Sequence, residues 1–248
     1  MNFAAYAASL AVLCSCASGL ALADDHGEDH GAAGTAAAEA MPAMDAAVET
    51  GTMPMEAETA DYLIMEPNAE IVFITTGGAE VRADWTEAAK VNLQAGFVNQ
   101  VGEAGYSITE FEEPVAMDDA LQQLLFLYEV VSASAETRMP HKPEGRNEGL
   151  TLGANASLLR DAYGADRAIF IDHYSQIESS GVFMTQVLVS AATGYTPPSQ
   201  NFRATIGTVV DLETGALEER AIAALGDARD ETESANIVSR VLRNLPLE

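Results

Sequence analysis

The side chains best suited to metal chemistry lie near the start of the chain, in an acidic, alanine-rich stretch. Imidazole and thioether groups are ligands that suit copper. The candidate ligands are two histidines and four methionines: His26, His30, Met41, Met44, Met53 and Met55. No fixed ligand spacing repeats among them. A plain linker is therefore the favoured interpretation, and periplasmic copper binding is the alternative.

A second candidate is the pair Asp172-His173, which follows an apolar run. An acid beside an imidazole suggests a catalytic triad or a metal site. However, successive side chains of a strand point to opposite faces of the sheet, so Asp172 cannot orient His173 directly. The GxSxG and HExxH motifs are also absent, and no cysteine nucleophile is present in this region. The sequence therefore predicts no catalytic residue, no cofactor and no enzymatic activity.

Two further patterns resemble parts of active sites but have simpler explanations. Gly77-Gly78 follows an apolar run, yet neither GxGxxG nor GxxxxGK[ST] is present, so the pair predicts a turn. Glu110, Glu112 and Glu113 could be taken for paired catalytic carboxylates. A charge run at the end of a strand is usually solvated, and nothing here indicates the burial that raises a pKa. A hydrolase that uses these carboxylates is the least favoured hypothesis.

Residues 1–23 carry no charged side chain and contain an apolar run, which predicts a secretory signal peptide. Two cleavage sites fit. Ala21-Leu22-Ala23 suits ordinary signal peptidase, whereas Leu13-Cys14-Ser15-Cys16 resembles a lipobox with Cys16 as the lipidated residue. The lipobox is favoured because Cys14 and Cys16 are the only cysteines of the chain. The predicted location is the periplasm, with an anchor in the outer membrane and membrane contact through the lipid anchor only.

The formal net charge of the chain is −26. Such a charge excludes nucleic acid as a partner and argues against anionic lipid headgroups, because both need a Lys/Arg surface. One local cluster of positive-capable side chains, Arg138, His141, Lys142 and Arg146, stands out. It fits an acidic face of the same chain better than an acidic partner. Without cysteines beyond Cys16, the domain must be stabilised by core burial and not by disulfides.

Residues 24–60 predict a disordered acidic tether rich in Ala, Met and His, because the segment shows no sustained apolar periodicity. Residues 61–248 predict one folded periplasmic domain. Within it, strands are predicted at 70–76, 106–111, 168–171, 182–192, 205–211 and 216–223. Helices are predicted at 84–101, from 118 or 119 onwards, at 155–163 with Ala162 inward, and at 230–245.

Several residues are predicted to hold these elements in place. Asp84, together with Glu87, predicts a capping box at the start of the first long helix. Trp85, in the first turn, is expected to be a core anchor. Gly164 suits the left-handed position that ends a helix. In the last hairpin, Asp211 can accept hydrogen bonds from the turn amides and Gly215 can take a positive φ.

The order of elements predicts the fold class. Helices early in the domain and a late antiparallel series of strands favour an α+β fold. We expect a single mixed or antiparallel sheet with helices packed mainly on one face, a C-terminal β-meander and a terminal helix. No internal repeat is found.

Three features together resemble the core of a known family. They are the helix that ends at Gly164, the step Ala165-Asp166 into a strand, and the Asp211…Gly215 hairpin. This core is shared by the curli-secretion (CsgG-type) envelope lipoproteins and the TolB amino-terminal domain. The Ala-Asp-Trp-Thr at residues 83–86 also resembles a set of periplasmic lipoproteins, and the resemblance covers about residues 68–245. It implies a non-enzymatic structural or interaction protein of the bacterial envelope, an assembly or secretion accessory that associates with itself or with envelope proteins.

The secretion channels of that family build a pore from membrane-crossing hairpins. The only candidate segment here is 181–202, and the two alternate rows of its side chains are both largely apolar. A lumen-facing row should be polar. The sequence therefore predicts a buried strand in this segment and no pore.

Overall fold

The computed structural model describes residues 59–114, 118–137 and 149–247. Its seven strands are β1 (Ala60–Ile64), β2 (Asn68–Thr75), β3 (Gly78–Val81), β4 (Ile108–Glu110), β5 (Ala165–Glu178), β6 (Phe202–Asp211) and β7 (Leu217–Ala224). Its five α-helices are α1 (Ala83–Glu103), α2 (Asp119–Thr137), α3 (Ser157–Tyr163), α4 (Ser180–Thr193) and α5 (Glu231–Arg243). A 3₁₀ turn, Ala154–Ala156, precedes α3.

All seven strands form one mixed sheet around β5, which is the longest strand. On one side of β5 lie β1 and β2, which both run parallel to it, one after the other. On its other side β6 and then β7 pair in antiparallel fashion. The short strands β4 and β3 lie outside β1 and β2 and form the edge opposite β7. The predicted α+β class, with its single mixed sheet, late β-meander and terminal helix, is confirmed.

The break between β1 and β2 has a local cause. Pro67 lies between the two strands and cannot donate a backbone hydrogen bond to β5. Ile64 pairs with Ile169, and pairing resumes where Asn68 lies opposite Asp172. The strand β1 was not predicted, because its short apolar run adjoins the alanine- and glutamate-rich stretch that was assigned to the tether.

One face of the sheet is covered by α1 and α5. The buried stripe of α1, Ala89, Leu93, Phe97 and Val101, agrees with the four-residue spacing in the sequence. It packs with Ile169 and Ile171 of β5 and with Ile237, Val238 and Val241 of α5. The helix α5 lies so close to β6 that a Cβ on Gly207 would stand 2.7 Å from Cγ1 of Val241. Glycine at this position therefore sets the distance between α5 and the sheet.

The opposite face carries a second core beneath α2 and α3. Its members include Leu124 and Tyr128 of α2, Leu159 of α3, and Ala168 and Phe170 of β5. The rings of Tyr128 and Phe170 are stacked, with centroids 3.8 Å apart. Helices thus cover both faces, whereas they were expected mainly on one. The reason is that β5 is apolar on both of its faces, so each face requires a cover.

Candidate functional site

The pair Asp172-His173 lies in the middle of β5, and its two side chains point to opposite faces, as alternation requires. Asp172 is 2% exposed and lies on the α2 side. Its Oδ2 accepts a hydrogen bond from the Tyr128 hydroxyl at 2.8 Å and from the Ser132 hydroxyl at 3.3 Å. Its Oδ1 accepts from Nδ2 of Asn68 at 3.4 Å. These contacts join α2 to the sheet through one buried carboxyl group.

Burial raises the pKa of Asp172, although the hydrogen bonds from Tyr128 and Ser132 act in the opposite direction. Burial likewise raises the pKa of Tyr128 well above its usual value, and the nearby carboxylate adds to this effect. The tyrosine is therefore a proton donor in a hydrogen bond and stays neutral. Asp172 thus acts as a buried internal acceptor for α2.

His173 points to the other face, where it is also 2% exposed. Its Nδ1 lies 2.8 Å from Oγ1 of Thr205, its neighbour on β6. Burial lowers the pKa of His173 to about 4, so the imidazole is neutral near pH 7. The geometry matches a buried histidine held by a hydroxyl group.

The glutamates considered as catalytic carboxylates lie on or just after β4 at the edge of the sheet, and β1 lies between β4 and the strand β5 that carries Asp172. Glu110 ends β4, is exposed and accepts a hydrogen bond from Nε2 of Gln94. Glu112 and Glu113 follow it and are also exposed. Across the described ranges, no group of three His, Cys, Asp or Glu side chains has the arrangement that holds a metal ion.

At the start of α1 the structure differs from the predicted capping box. The N-cap residue is Arg82, and no side chain caps the helix. The carboxylate of Asp84 instead accepts two hydrogen bonds from the Arg82 guanidinium, at 3.0 and 2.8 Å. These hydrogen bonds lower the pKa of Asp84. The neighbouring arginine is the main hydrogen-bond partner of this carboxylate.

Trp85 packs against the α1–α5 core and contacts the ring of Phe73 edge to face. The guanidinium groups of Arg82 and Arg229 each lie 4.2 Å from the centroid of its ring. Arg229 also donates to the carboxylate of Asp227, which lowers the pKa of that carboxyl group. Trp85 is thus half-buried between two cations, and it connects the start of α1 to the segment before α5.

The other predicted structural residues lie in turns. Gly164 has a φ of 64° and follows the last residue of α3, and Asp166 accepts a hydrogen bond from the Arg160 guanidinium at 3.0 Å. Oδ1 of Asp211 accepts from the Thr214 amide at 2.6 Å. Gly215 has a φ of 73°, and a Cβ there would stand 2.3 Å from the carbonyl oxygen of Gly153. Ala162 of α3, expected to point inward, is exposed.

Some predictions concern residues outside the described ranges. They are the lipidation candidate, the metal-ligand candidates and the basic cluster: Cys16, His26, His30, Met41, Met44, Met53, Met55, Arg138, His141, Lys142 and Arg146.

The largest disagreement concerns the segment predicted as a buried strand at 182–192. It is the helix α4, and none of its residues is buried. Ser179 caps it by accepting a hydrogen bond from the Val182 amide, and Gly194 ends it with a φ of 71°. Its length and these two end residues were signals for a helix, since strands are typically shorter than ten residues. The strand was predicted because the segment is largely apolar.

The apolar side of α4 faces outward. Val182, Gln186 and Ser190 are spaced four residues apart and are the half-buried positions of the helix. The other side carries large apolar side chains that are exposed: Phe183, Met184, Val187 and Leu188. A surface helix ordinarily turns its apolar stripe to the core and its polar side to water. In α4 the large apolar side chains are instead on the exposed side.

The base of α4 is fastened by one carboxylate. Glu178, the last residue of β5, accepts hydrogen bonds from Nε2 of Gln186 at 2.8 Å and from the Gln200 amide at 2.6 Å. Ser199 and Asn201 donate to its other oxygen at 3.1 and 3.2 Å. Burial acts to raise the pKa of Glu178, but these hydrogen bonds outweigh it and lower the pKa. The carboxylate therefore stays ionised and holds the helix to its return loop.

No protein-family model matches the sequence, and no curated protein matches it. Two solved structures show a distant similarity. Lipoprotein GNA1162 from Neisseria meningitidis is 12% identical over 67% of this chain and 79% of its own, with a TM-score of 0.29. The LpoB C-terminal domain from Salmonella enterica is 12% identical over 68% of this chain and 86% of its own, with a TM-score of 0.25. Similarity at this level supports no conclusion about function, and the resemblance to CsgG-type and TolB domains stays a prediction.

Proposed function

We propose that this protein is a non-enzymatic interaction module of the bacterial cell envelope. It is exported to the periplasm, anchored to the outer membrane through a lipid on Cys16, and makes contact with its surroundings through α4. The observation that carries this proposal is the exposed apolar side of α4, which residues 59–114, 118–137 and 149–247 leave uncovered.

The position of α4 between two strands supports a role in contact. β5 and β6 are antiparallel neighbours, and they pair up to Gln176 and Phe202. Such strands are commonly joined by loops of about two to five residues. Here the chain instead makes an excursion over residues 177–201 that adds an apolar helix without adding a buried α4 side chain. An exposed apolar surface of this kind is typical of an interaction site.

A non-enzymatic role is supported by the two residues with the strongest resemblance to catalytic groups. Asp172 and His173 lie on opposite faces of the sheet, and each is engaged by neighbouring side chains. A catalytic acid or base must be within reach of a substrate proton. Both side chains are 2% exposed, which favours a role in holding the fold together.

The anchor is tested by metabolic labelling with a palmitate analogue in a bacterial host that carries out lipoprotein maturation. The full chain is compared with Cys16→Ala and with the matched control Cys14→Ala. We expect the label in the unmodified chain and in Cys14→Ala, and its loss in Cys16→Ala. Absence of label from the unmodified chain, or equal label in all three proteins, would contradict lipidation at Cys16.

A further inference from the structure

The chemistry of α4 restricts what can cover it. From Ser179 to Phe202 the sequence contains no Asp, Glu, Lys, Arg or His, although the whole chain has 38 acidic and 12 basic residues. The nearest charges in sequence are Glu178 and Arg203, at the two ends of this segment. A charged partner surface would therefore find no counter-charge on α4. The occupant must offer apolar contact over an uncharged area.

A second copy of this chain is a poor candidate for covering the exposed side of α4. A helix of 14 residues is about 21 Å long and roughly 10 Å wide. One side of such a helix provides far less than the approximately 800 Å² that each partner contributes to a stable interface. Each copy also has a formal charge of −26, so bringing two copies together adds repulsion.

A lipid bilayer has neither limitation. It offers apolar contact of any extent, and a helix can lie in its interface with one side among the acyl chains. No described helix is long and apolar enough to cross a membrane, and α4 itself is shorter than the roughly 20 residues that a crossing needs. The exposed Tyr195, just beyond the end of α4, is a residue type enriched at the level of lipid headgroups.

The predicted anchor brings the bilayer within reach, and in this point the inference rests on the proposed function. About 40 residues lie between Cys16 and β1. The sequence predicts a disordered tether there, and a random coil of that length has ends roughly 35 Å apart. A domain tethered at this distance from a membrane meets the membrane surface at a high effective concentration. We therefore propose that α4 lies in the interface of a lipid bilayer and that Phe183, Met184, Val187 and Leu188 contact the acyl chains. This is a second membrane contact, whereas the sequence alone predicts contact through the lipid anchor only.

The charge of the protein gives this contact a distinctive lipid preference. Interfacial helices usually carry Lys and Arg and bind anionic membranes more strongly. Here the helix is uncharged and the protein strongly acidic, so anionic headgroups repel the domain without attracting α4. Contact is therefore strongest on zwitterionic lipid, and salt reduces the difference because it screens the repulsion.

The test places a tryptophan on α4 and compares it with a matched position on α2. Leu188 and Phe126 are each 65% exposed, so Leu188→Trp and Phe126→Trp are comparable reporters. Each full-length variant is reconstituted into phosphatidylcholine vesicles with and without brominated acyl chains, and the unmodified chain supplies the signal of Trp85. We expect the added fluorescence of Leu188→Trp to fall by about half or more with brominated lipid, as for a ring among the acyl chains. The added fluorescence of Phe126→Trp should stay unchanged.

A series with increasing phosphatidylglycerol completes the test. Quenching of Leu188→Trp should decrease at low salt and recover at high salt. Equal quenching of both reporters, no quenching of Leu188→Trp, or stronger quenching on anionic lipid would each overturn the proposal. If Leu188→Trp is unquenched and the chain sediments as a dimer, the second copy is the occupant instead. Because quenching is measured separately from palmitate labelling, loss of the anchor and loss of α4 contact are distinguishable.

Discussion

At the scale of single residues, the most consequential group is the buried carboxyl of Asp172. An ionised carboxylate in an apolar interior is costly unless donors surround it, and Asp172 has Tyr128, Ser132 and Asn68. Its pKa is raised, mainly by burial. The stability that this group contributes is therefore fully present below its unfolded pKa of about 3.9. It is lost as the pH rises through the folded pKa.

The first prediction is that Tyr128→Phe destabilises the protein by about 1–3 kcal/mol at pH 7. The substitution removes the shortest hydrogen bond to Asp172 and raises the pKa of that carboxyl group further. The cost should be smaller near pH 4, where more of the carboxyl group is protonated and less charge needs a donor. Urea unfolding at a series of pH values measures both effects.

The matched control is Tyr106→Phe. The Tyr106 hydroxyl donates to the carbonyl oxygen of Leu247 at 2.8 Å, with no carboxylate involved. Its cost should not vary with pH in this range. If the two variants show the same pH dependence, Asp172 is not the group that responds to Tyr128.

Part of this arrangement of residues could be predicted from the sequence. Strand alternation was enough to separate Asp172 from His173. The partner Tyr128 lies 44 positions earlier and meets Asp172 only because α2 packs on the sheet, which no local pattern specifies. At Asp84 a local pattern was misleading. The sequence matches a capping box, but the carboxylate accepts its hydrogen bonds from the adjacent Arg82.

At the scale of elements, α4 is held mainly at its base. The contacts that hold it include the hydrogen bonds to Glu178 and, near its other end, the contact of 3.1 Å between the hydroxyl oxygens of Ser190 and Thr196. No buried α4 side chain adds to this. Elements with few buried contacts open locally at small free-energy cost.

The second prediction concerns Glu178→Ala. Amide hydrogen exchange in α4 and in residues 195–201 should become faster, on the order of tenfold, because several hydrogen bonds that close this segment are lost. Exchange in β5 and β6 should change little. Hydrogen-exchange mass spectrometry with peptide resolution measures this.

Glu218→Ala is the control for that experiment. Glu218 pairs with Arg167 at 2.8 Å at the other end of β5. Its removal also deletes a surface carboxylate but should leave exchange in α4 unchanged. Equal acceleration of α4 in both variants would show that Glu178 has no special role at its base.

The elements also show where periodicity is informative. The spacing of Leu93 and Phe97 predicted the buried face of α1, because a half-buried helix has a clear apolar stripe. In α4 the large apolar side chains are exposed and no side chain is buried, so the helix has no core-facing apolar stripe to detect. Residues 182–192 were predicted to be a core strand because their composition is that of a buried segment.

At the scale of the whole molecule, the part of the chain that the structure describes has one sheet with a core on each face and an apolar helix outside both cores. The two cores are formed by helices that pack on the strands, and α4 belongs to neither. The fold should therefore be complete without α4, and the apolar surface of α4 should serve contact and not folding.

The most direct test of this claim replaces residues 180–200 with a short Gly-Asn-Gly link in the full chain, so that β5 and β6 form a plain hairpin. The measurement is the free energy of unfolding in urea. We predict a value within about 1 kcal/mol of the unmodified chain, the range of changes that remove no buried group. A loss of more than about 3 kcal/mol, typical of core truncation, would show that α4 is part of the core and would contradict its role as a contact surface.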